Sequence, residues 1–238
     1  MSVYLITGAS SDVGTALIDR LYREGDVFIA QGAGDLSHLA PLCRKYPGAI
    51  KTYDVDLTDP AALELFVRDV AARYPTPTHL VHLPALRVVN TRFKNFDEDR
   101  FERDMSVQIR SAVKLCKTFL PAMAKARQGR VLFMLTSYLL GAPPKNTVKS
   151  TLQGLAKSLA ADYASFGVTV NCVMPSMMET KFLADTSDLI VQASAEANPM
   201  KRNARVEDVV PAMAFLLSEE AGFITGVTLP VTGGSAFL

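Results

Sequence analysis

"VYLITGASSDVG", Val3 to Gly14, is the stretch from which the rest of the chain can be read. "VYLIT" is apolar almost throughout, as a strand covered on both faces is. It runs straight into Gly8. Beyond the turn, Val13, Ala16, Leu17 and Leu21 recur at three- and four-residue spacing, which predicts a helix over Val13–Arg23. A glycine turn between a first strand and a first helix is the setting that separates a dinucleotide-binding turn from a chance pair of glycines. Gly8 permits the tight bend, and Gly14 lets the helix pack close to the strand. The helix start, through Ser10, Ser11, Asp12 and Val13, offers free N–H groups and a positive dipole end to a pyrophosphate. The plain alternative is an ordinary strand–helix loop.

The same alternation continues along the chain. "VFIAQ", "IKTYDV", "HLVHL", "RVLFML", "VTVNCVM" and "VTLPV" read as further strands. Helical patterns cover Pro60–Tyr74, with Asp59 as N-cap, then about Asp97–Lys125, Thr147–Phe166 and Val206–Ser218. Strands separated by helical crossovers predict an α/β fold, a doubly wound Rossmann-type sheet of seven parallel strands in one domain over residues 1–238. The loosest stretch, Pro175 to Arg205, is the natural place for a substrate lid.

Composition narrows the function classes. The 238 residues are 49% hydrophobic, with 25 Lys+Arg against 24 Asp+Glu and a net charge of +1. No basic field is available for a nucleic-acid backbone. No apolar run approaches the ~20 residues of a membrane span. The opening "MSVYLITGAS" lacks a positive n-region, so no signal peptide is expected. Cys43, Cys116 and Cys172 are far apart and lie in apolar runs, which suits buried thiols in a reducing, cytoplasmic setting.

Several ordered landmarks carry a family resemblance. They are "TGASSDVG", "VDLTDP", "HLPA" and "LTS", then "KSTLQGLAKSLAADYASFGVTVNCVMPSMMETKF" and "EDVVPAMAFLLSEEAGFITGVTLPVTGG". Over nearly the whole chain the sequence resembles the short-chain dehydrogenases/reductases of the compact type, close in layout to 3-oxoacyl-carrier-protein reductases. The resemblance implies an NAD or NADP cofactor and a small-molecule or acyl carbonyl substrate. It places the adenine end at Asp56 and Leu57, the adenosine ribose along the backbone of His82, Leu83 and Pro84, and further cofactor contacts at Pro175, Ser176, Met177 and Thr180. It also implies a homodimer or homotetramer built on the helices at Asp97–Lys125 and Thr147–Phe166. Their apolar residues Val113, Leu120, Leu152, Leu155 and Leu159 exceed one stripe.

The resemblance further implies a set of an asparagine, a serine, a tyrosine and a lysine. Serine polarises the carbonyl, tyrosine donates the proton, lysine lowers the tyrosine pKa and holds the ribose, and asparagine supports a relay water. Ser137 and Lys149 match the serine and the lysine, while Gln108 takes the asparagine position and Lys145 the tyrosine position. The middle glycine of the turn is Asp12, which puts a carboxylate beside the diphosphate. Strand two ends in Gln31-Gly32-Ala33-Gly34, with neither an acidic nor a basic reader of the ribose, so NAD and NADP both stay open.

Only seven residues, Tyr138 to Pro144, separate Ser137 from Lys145, a shorter loop than the resemblance implies. Pro143-Pro144 and a capping Asn146 predict that Lys145 stands outside the helix. Tyr138, next to Ser137, is the other candidate proton donor. Two readings follow. One is an NAD(P)-dependent oxidoreductase with a rearranged proton donor and weak cofactor binding. The other is an inactive homologue serving as a binding, regulatory or partner subunit, in a hetero-oligomer with an active relative.

Overall fold

The computed structural model describes residues 1–87, 93–137 and 143–235. Its strands are β1 (Val3–Thr7), β2 (Val27–Gly32), β3 (Ile50–Asp54), β4 (His79–His82), β5 (Gly129–Met134), β6 (Val168–Pro175) and β7 (Thr228–Val231). They form one sheet in the order β3-β2-β1-β4-β5-β6-β7, every neighbouring pair parallel. Among the described residues, eight α-helices accompany them: α1 (Asp12–Leu21), α2 (Ala40–Lys45), α3 (Pro60–Arg73), α4 (Glu98–Met105), α5 (Ser111–Ala126), α6 (Pro143–Tyr163), α7 (Asp188–Ala197) and α8 (Val206–Leu217).

The period-two alternation of each strand sends successive side chains to opposite faces. Leu5, Ile29, Leu80, Val131 and Phe133 join a core with α3, α5 and α6. Tyr4, Ile6, Phe28, Ala30, Val81 and Leu132 join a second core with α1 and α8. Both faces are covered, which is why the strands read as continuous apolar runs. The strand order reverses between β1 and β4, where Thr7 and His82 are register partners. Ligands of doubly wound sheets bind at the carboxyl ends of the strands beside such a reversal.

Four expectations are corrected. The helical pattern from Asp97 is capped by Asp97, but it is broken at Ser106–Arg110 by one π-helical turn between α4 and α5. Helix α6 begins at Pro143, so Lys145 lies in its first turn and Asn146 is helical rather than a cap. Prolines cost a helix nothing there, because first-turn N–H groups have no intrahelical acceptor. The stretch Pro175 to Arg205 is not loose throughout: it holds a 3₁₀ turn at Lys181–Leu183 and α7. Finally, Leu120 and Leu152 lie in the core and offer nothing to a partner, whereas Val113 is 43% exposed. No helix among the described residues is long and apolar enough to cross a membrane.

The junction of β1 with α1 is tight. Gly8 adopts φ +70°, and a Cβ at Gly14 would lie 2.6 Å from the Ala9 carbonyl oxygen and 2.7 Å from its Cα. These are backbone atoms, with no flexible side chain to move aside. Gly14→Ala is therefore expected to destabilise the chain by ~1–3 kcal/mol, read as a lower midpoint of urea denaturation. An unchanged midpoint would show that α1 slides without cost.

Candidate functional site

The turn after β1 is held from three directions. The Gly8 N–H donates to Gln31 Oε1 at 3.1 Å, and the Ala9 N–H to the Gln31 carbonyl at 2.8 Å. Ser11 caps α1: its Oγ accepts from the Gly14 N–H at 3.1 Å and donates to the Gly8 carbonyl at 2.7 Å. Gln31 is thus a buried strut. Its Nε2 donates to the carbonyls of Gly32 and Val55.

Asp12 does not cap the helix. Its Oδ2 accepts the backbone N–H of Lys181, from the segment after β6, at 2.8 Å. Lys181 Nζ in turn lies 3.2 Å from the His38 ring nitrogens. Arg87, just beyond β4, pairs with Asp185 in the same segment. The segment is therefore tied across the glycine turn and to the end of β4. At the end of β2, Leu36 and Ser10 rest on Gly32: a Cβ there would lie 2.5 Å from Leu36 Cδ2 and 2.7 Å from Ser10 Oγ. Asp56 Oδ1 accepts from the Thr58 N–H and Oγ1 at 2.8 Å, and Leu57 beside it is buried.

His82 offers no free ring atom. Nδ1 lies 2.7 Å from Thr7 Oγ1 and Nε2 lies 3.1 Å from the Gln108 carbonyl, so the imidazole joins β1, β4 and the π turn. Burial and the Lys149 amine push its pKa down to about 3. Only the backbone of His82, Leu83 and Pro84 remains for a ligand. A Cβ on Gly8 would come within 3.1 Å of the Pro84 nitrogen, so the two strand ends are in contact.

The end of β5 meets the start of α6. The Ser137 N–H donates to the Pro175 carbonyl at 2.9 Å, tying the serine loop to the end of β6. Tyr138 lies outside the described residues. Lys149 is only 3% exposed, and its Nζ donates to the Met134 carbonyl at 2.8 Å. Lys145 stands one helical turn earlier on the same face. Burial pulls the Lys145 ammonium down to about 8, against the opposing pull of Asp104. Lys149 falls to about 7, first through burial and then through repulsion by Lys145, with Asp104 and Cys172 opposing. Lys145 forms no salt bridge among the described residues.

Gln108 lies in the π turn and is 1% exposed. Its Nε2 donates to Asp104 Oδ1 at 2.9 Å, while its buried Oε1 has no hydrogen-bond partner among the described residues. The structure thus gathers Gln108, Lys145 and Lys149 around Asp104, with Ser137 on the adjoining strand end. Asp104 went unnamed in the sequence reading, although its place four residues before Gln108 was a usable signal. Lys181 and Leu36 left no such signal. Ser176, Asn198 and Asn203 line a cavity of about 450 Å³ together with Gly233 and Gly234. Met177 is buried, and Thr180 Oγ1 donates to the Met178 carbonyl at 3.5 Å.

A parallel sheet with a glycine turn at its reversal, and a serine and a buried lysine at the neighbouring strand ends, defines a protein of the dinucleotide-fold class. Residues 8–236 match the family described as enoyl-(acyl carrier protein) reductase. The 3-oxoacyl-[acyl-carrier-protein] reductase FabG of Salmonella typhimurium is 31% identical over 98% of this chain and 96% of its own length, and so is that of Escherichia coli K12. The acetoacetyl-CoA reductase of Allochromatium vinosum is 26% identical over 98% of this chain and 97% of its own. A solved structure from Beutenbergia cavernae, assigned as an NAD(P)-dependent gluconate 5-dehydrogenase with NADP bound at low occupancy, shares the fold. It superposes with TM-score 0.90 at 24% identity, over 98% of this chain and 96% of that one. The chain belongs to the short-chain dehydrogenase/reductase family, a family of NAD(P)-dependent oxidoreductases.

The depressed bases make stability depend on pH with one sign. His79 and His82 are held down to about 4 and about 3, chiefly by burial, and Lys145 and Lys149 to about 8 and about 7. In each pH window between the folded and unfolded pKa values, the unfolded chain binds more protons, so stability rises with pH. Each histidine is expected to cost on the order of 2 kcal/mol at pH 5 relative to neutrality. A second rise is expected between about pH 7 and 10 from the lysines. Urea denaturation across pH checks both, and a flat profile from pH 5 to 7 would contradict the buried neutral histidines.

Proposed function

We propose that the chain is an NAD(P)-dependent reductase of small or acyl carbonyl compounds, with the Lys145 ammonium as proton donor in the place of the family tyrosine. The observation that carries this reading is the position of Lys145 inside α6, one turn before Lys149 and beside Asp104 and Gln108. An acid with a pKa of about 8 is well matched to proton transfer near neutral pH. When bound, the nicotinamide supplies the hydride. Ser137 orients the carbonyl oxygen by hydrogen bonding. Lys145 delivers the proton to that oxygen as it gains charge. Burial keeps the Lys145 proton labile, Lys149 is fixed on the Met134 carbonyl, and Gln108 Oε1 is the acceptor for a relay water. The acyl-carrier-protein and CoA thioester substrates named for the relatives support a 3-oxoacyl substrate.

The cofactor's residues fit it in part. The capped turn at Gly8–Gly14, the Asp56–Leu57 corner and the Pro175–Thr180 segment suit its diphosphate, adenine and nicotinamide ends. Two features oppose it: Asp12 brings a carboxylate to the diphosphate end, and Leu36 lies over Gly32 where a ribose would pass. Binding is accordingly weak in this reading, with Lys181 released from Asp12 when the cofactor enters. These two features also favour the second reading, an inactive binding or partner subunit. Assembly into a homodimer or homotetramer belongs to both, with Val113 on the exposed side of α5.

Two measurements separate the readings. Asp12→Gly is expected to tighten NADH or NADPH binding by about tenfold or more in calorimetry, the equivalent of ~1.4 kcal/mol. Equal affinities for the two proteins would mean that the carboxylate is harmless. In steady-state assays with ethyl acetoacetate and either reduced cofactor, Lys145→Met is expected to lower kcat by about 10²–10⁴-fold. Wild-type kcat should also fall above about pH 8 as the ammonium loses its proton. A Lys145→Met enzyme with unchanged kcat would remove the lysine from the chemistry, and a wild type with no turnover would favour the partner-subunit reading.

A further inference from the structure

We propose that Lys145 is also a carbonyl-capturing amine, which condenses with a ketone such as a 3-oxoacyl ester to form a protonated imine. The inference rests on the proposed function in one respect, that a carbonyl compound enters the crevice beside Ser137. The rest is carried by the cluster at the start of α6. A phenol in this position can only give up a proton, whereas an amine has a lone pair as well.

Three features of the cluster suit a nucleophilic amine. Lysine is made nucleophilic near neutrality by desolvation or by a neighbouring cation. Lys145 has the first: it is partly buried in the first turn of α6, and burial is what lowers it. Lys149 lies one turn further along the same face, immobilised on the Met134 carbonyl. Lys145 is also not drawn into a salt bridge among the described residues; Asp104 on the facing α4, whose Oδ1 accepts from Gln108 Nε2 and the Leu86 N–H, opposes the loss of its proton without outweighing burial. The third feature is an outlet for water. Condensation releases one water molecule, and Gln108 Oε1 is a buried acceptor with no partner among the described residues.

The step balances without oxidant or reductant. The Nζ lone pair forms the C–N bond at the carbonyl carbon, and the carbonyl oxygen takes up a proton. The nitrogen then gives up a second proton to that oxygen, and the C–O bond breaks to release water. One neutral amine, one ketone and one proton thus yield one protonated imine and one water. Lys149 is buried and held on a carbonyl, whereas Lys145 is only partly buried.

The test uses the full chain without cofactor, ethyl acetoacetate as the ketone, and sodium cyanoborohydride, which reduces an iminium to a stable secondary amine. Adducts are then mapped by tandem mass spectrometry. The adduct at Lys145 is expected to exceed that at the exposed Lys125 by at least about tenfold at pH 7.5, because the neutral fraction of an amine rises tenfold per unit by which its pKa is lowered. Lys145→Arg, which keeps the charge, is expected to remove this preferred adduct from the intact protein. Labelling at Lys145 no greater than at Lys125, or a preferred adduct that survives Lys145→Arg, overturns the inference. The outcome is independent of turnover. Preferred labelling without NAD(P)-dependent reduction supports the imine and removes the reductase reading, while reduction without preferred labelling does the reverse.

Discussion

Burial of one amine organises the functional end of this molecule. Lys149 is enclosed where α6 crosses the ends of β5 and β6, with a backbone carbonyl as its hydrogen-bond acceptor and no carboxylate at ion-pair distance among the described residues. An isolated charge there would be expensive, so the group yields its proton more easily instead. The neighbouring groups answer to the same constraint. Asp104 faces both lysines from α4, Gln108 binds Asp104 across a π turn, and the Gln108 carbonyl takes one nitrogen of His82. His82 reaches Thr7 at the sheet's reversal. A chain of contacts thus runs from the glycine turn to the lysine pair, and the π turn is what aims Gln108 into it.

Most of the scaffold was legible because a single rule produces it. Strands covered on both faces are apolar throughout, helices repeat at 3.6 residues, and each predicted strand falls within a residue or two of its observed place. Asp59 was readable as a cap because capping is local, and its side chain does accept from the Ala61 N–H. The failures are of another kind. The π turn costs one extra residue in a helical ladder and barely disturbs the apolar pattern. The interior roles of Leu120 and Leu152 depend on which helices lie over them, which periodicity alone does not say.

The candidate site was legible in its members but not in its connections. Ser137, Gln108, Lys145 and Lys149 were identified by position, and the structure gathers the last three around Asp104. The bond between Asp12 and Lys181 joins residues 169 positions apart and leaves no local trace. The placement of Lys145 was misread because Asn146 was taken as the N-cap and the restriction on a residue before proline was extended to Lys145, which follows one. Proline stops a helix by lacking a donor and crowding the preceding turn, and neither matters where no preceding turn exists. The same dipeptide that ends a helix from its C-terminal side begins one from its N-terminal side.

In the proposed reading, the exchange of tyrosine for lysine changes what is left after proton transfer. Burial favours the neutral form of an ionisable group, so it raises a phenol and lowers an ammonium. Lys145 follows that rule, pulled down to about 8 by burial against the pull of Asp104, and its charge in turn helps to lower Lys149 to about 7. A phenol that gives up its proton becomes an anion, whereas an ammonium becomes a neutral amine with a free lone pair. In that reading the spent state of Lys145 would be a nucleophile, where the spent state of a tyrosine would be a phenolate.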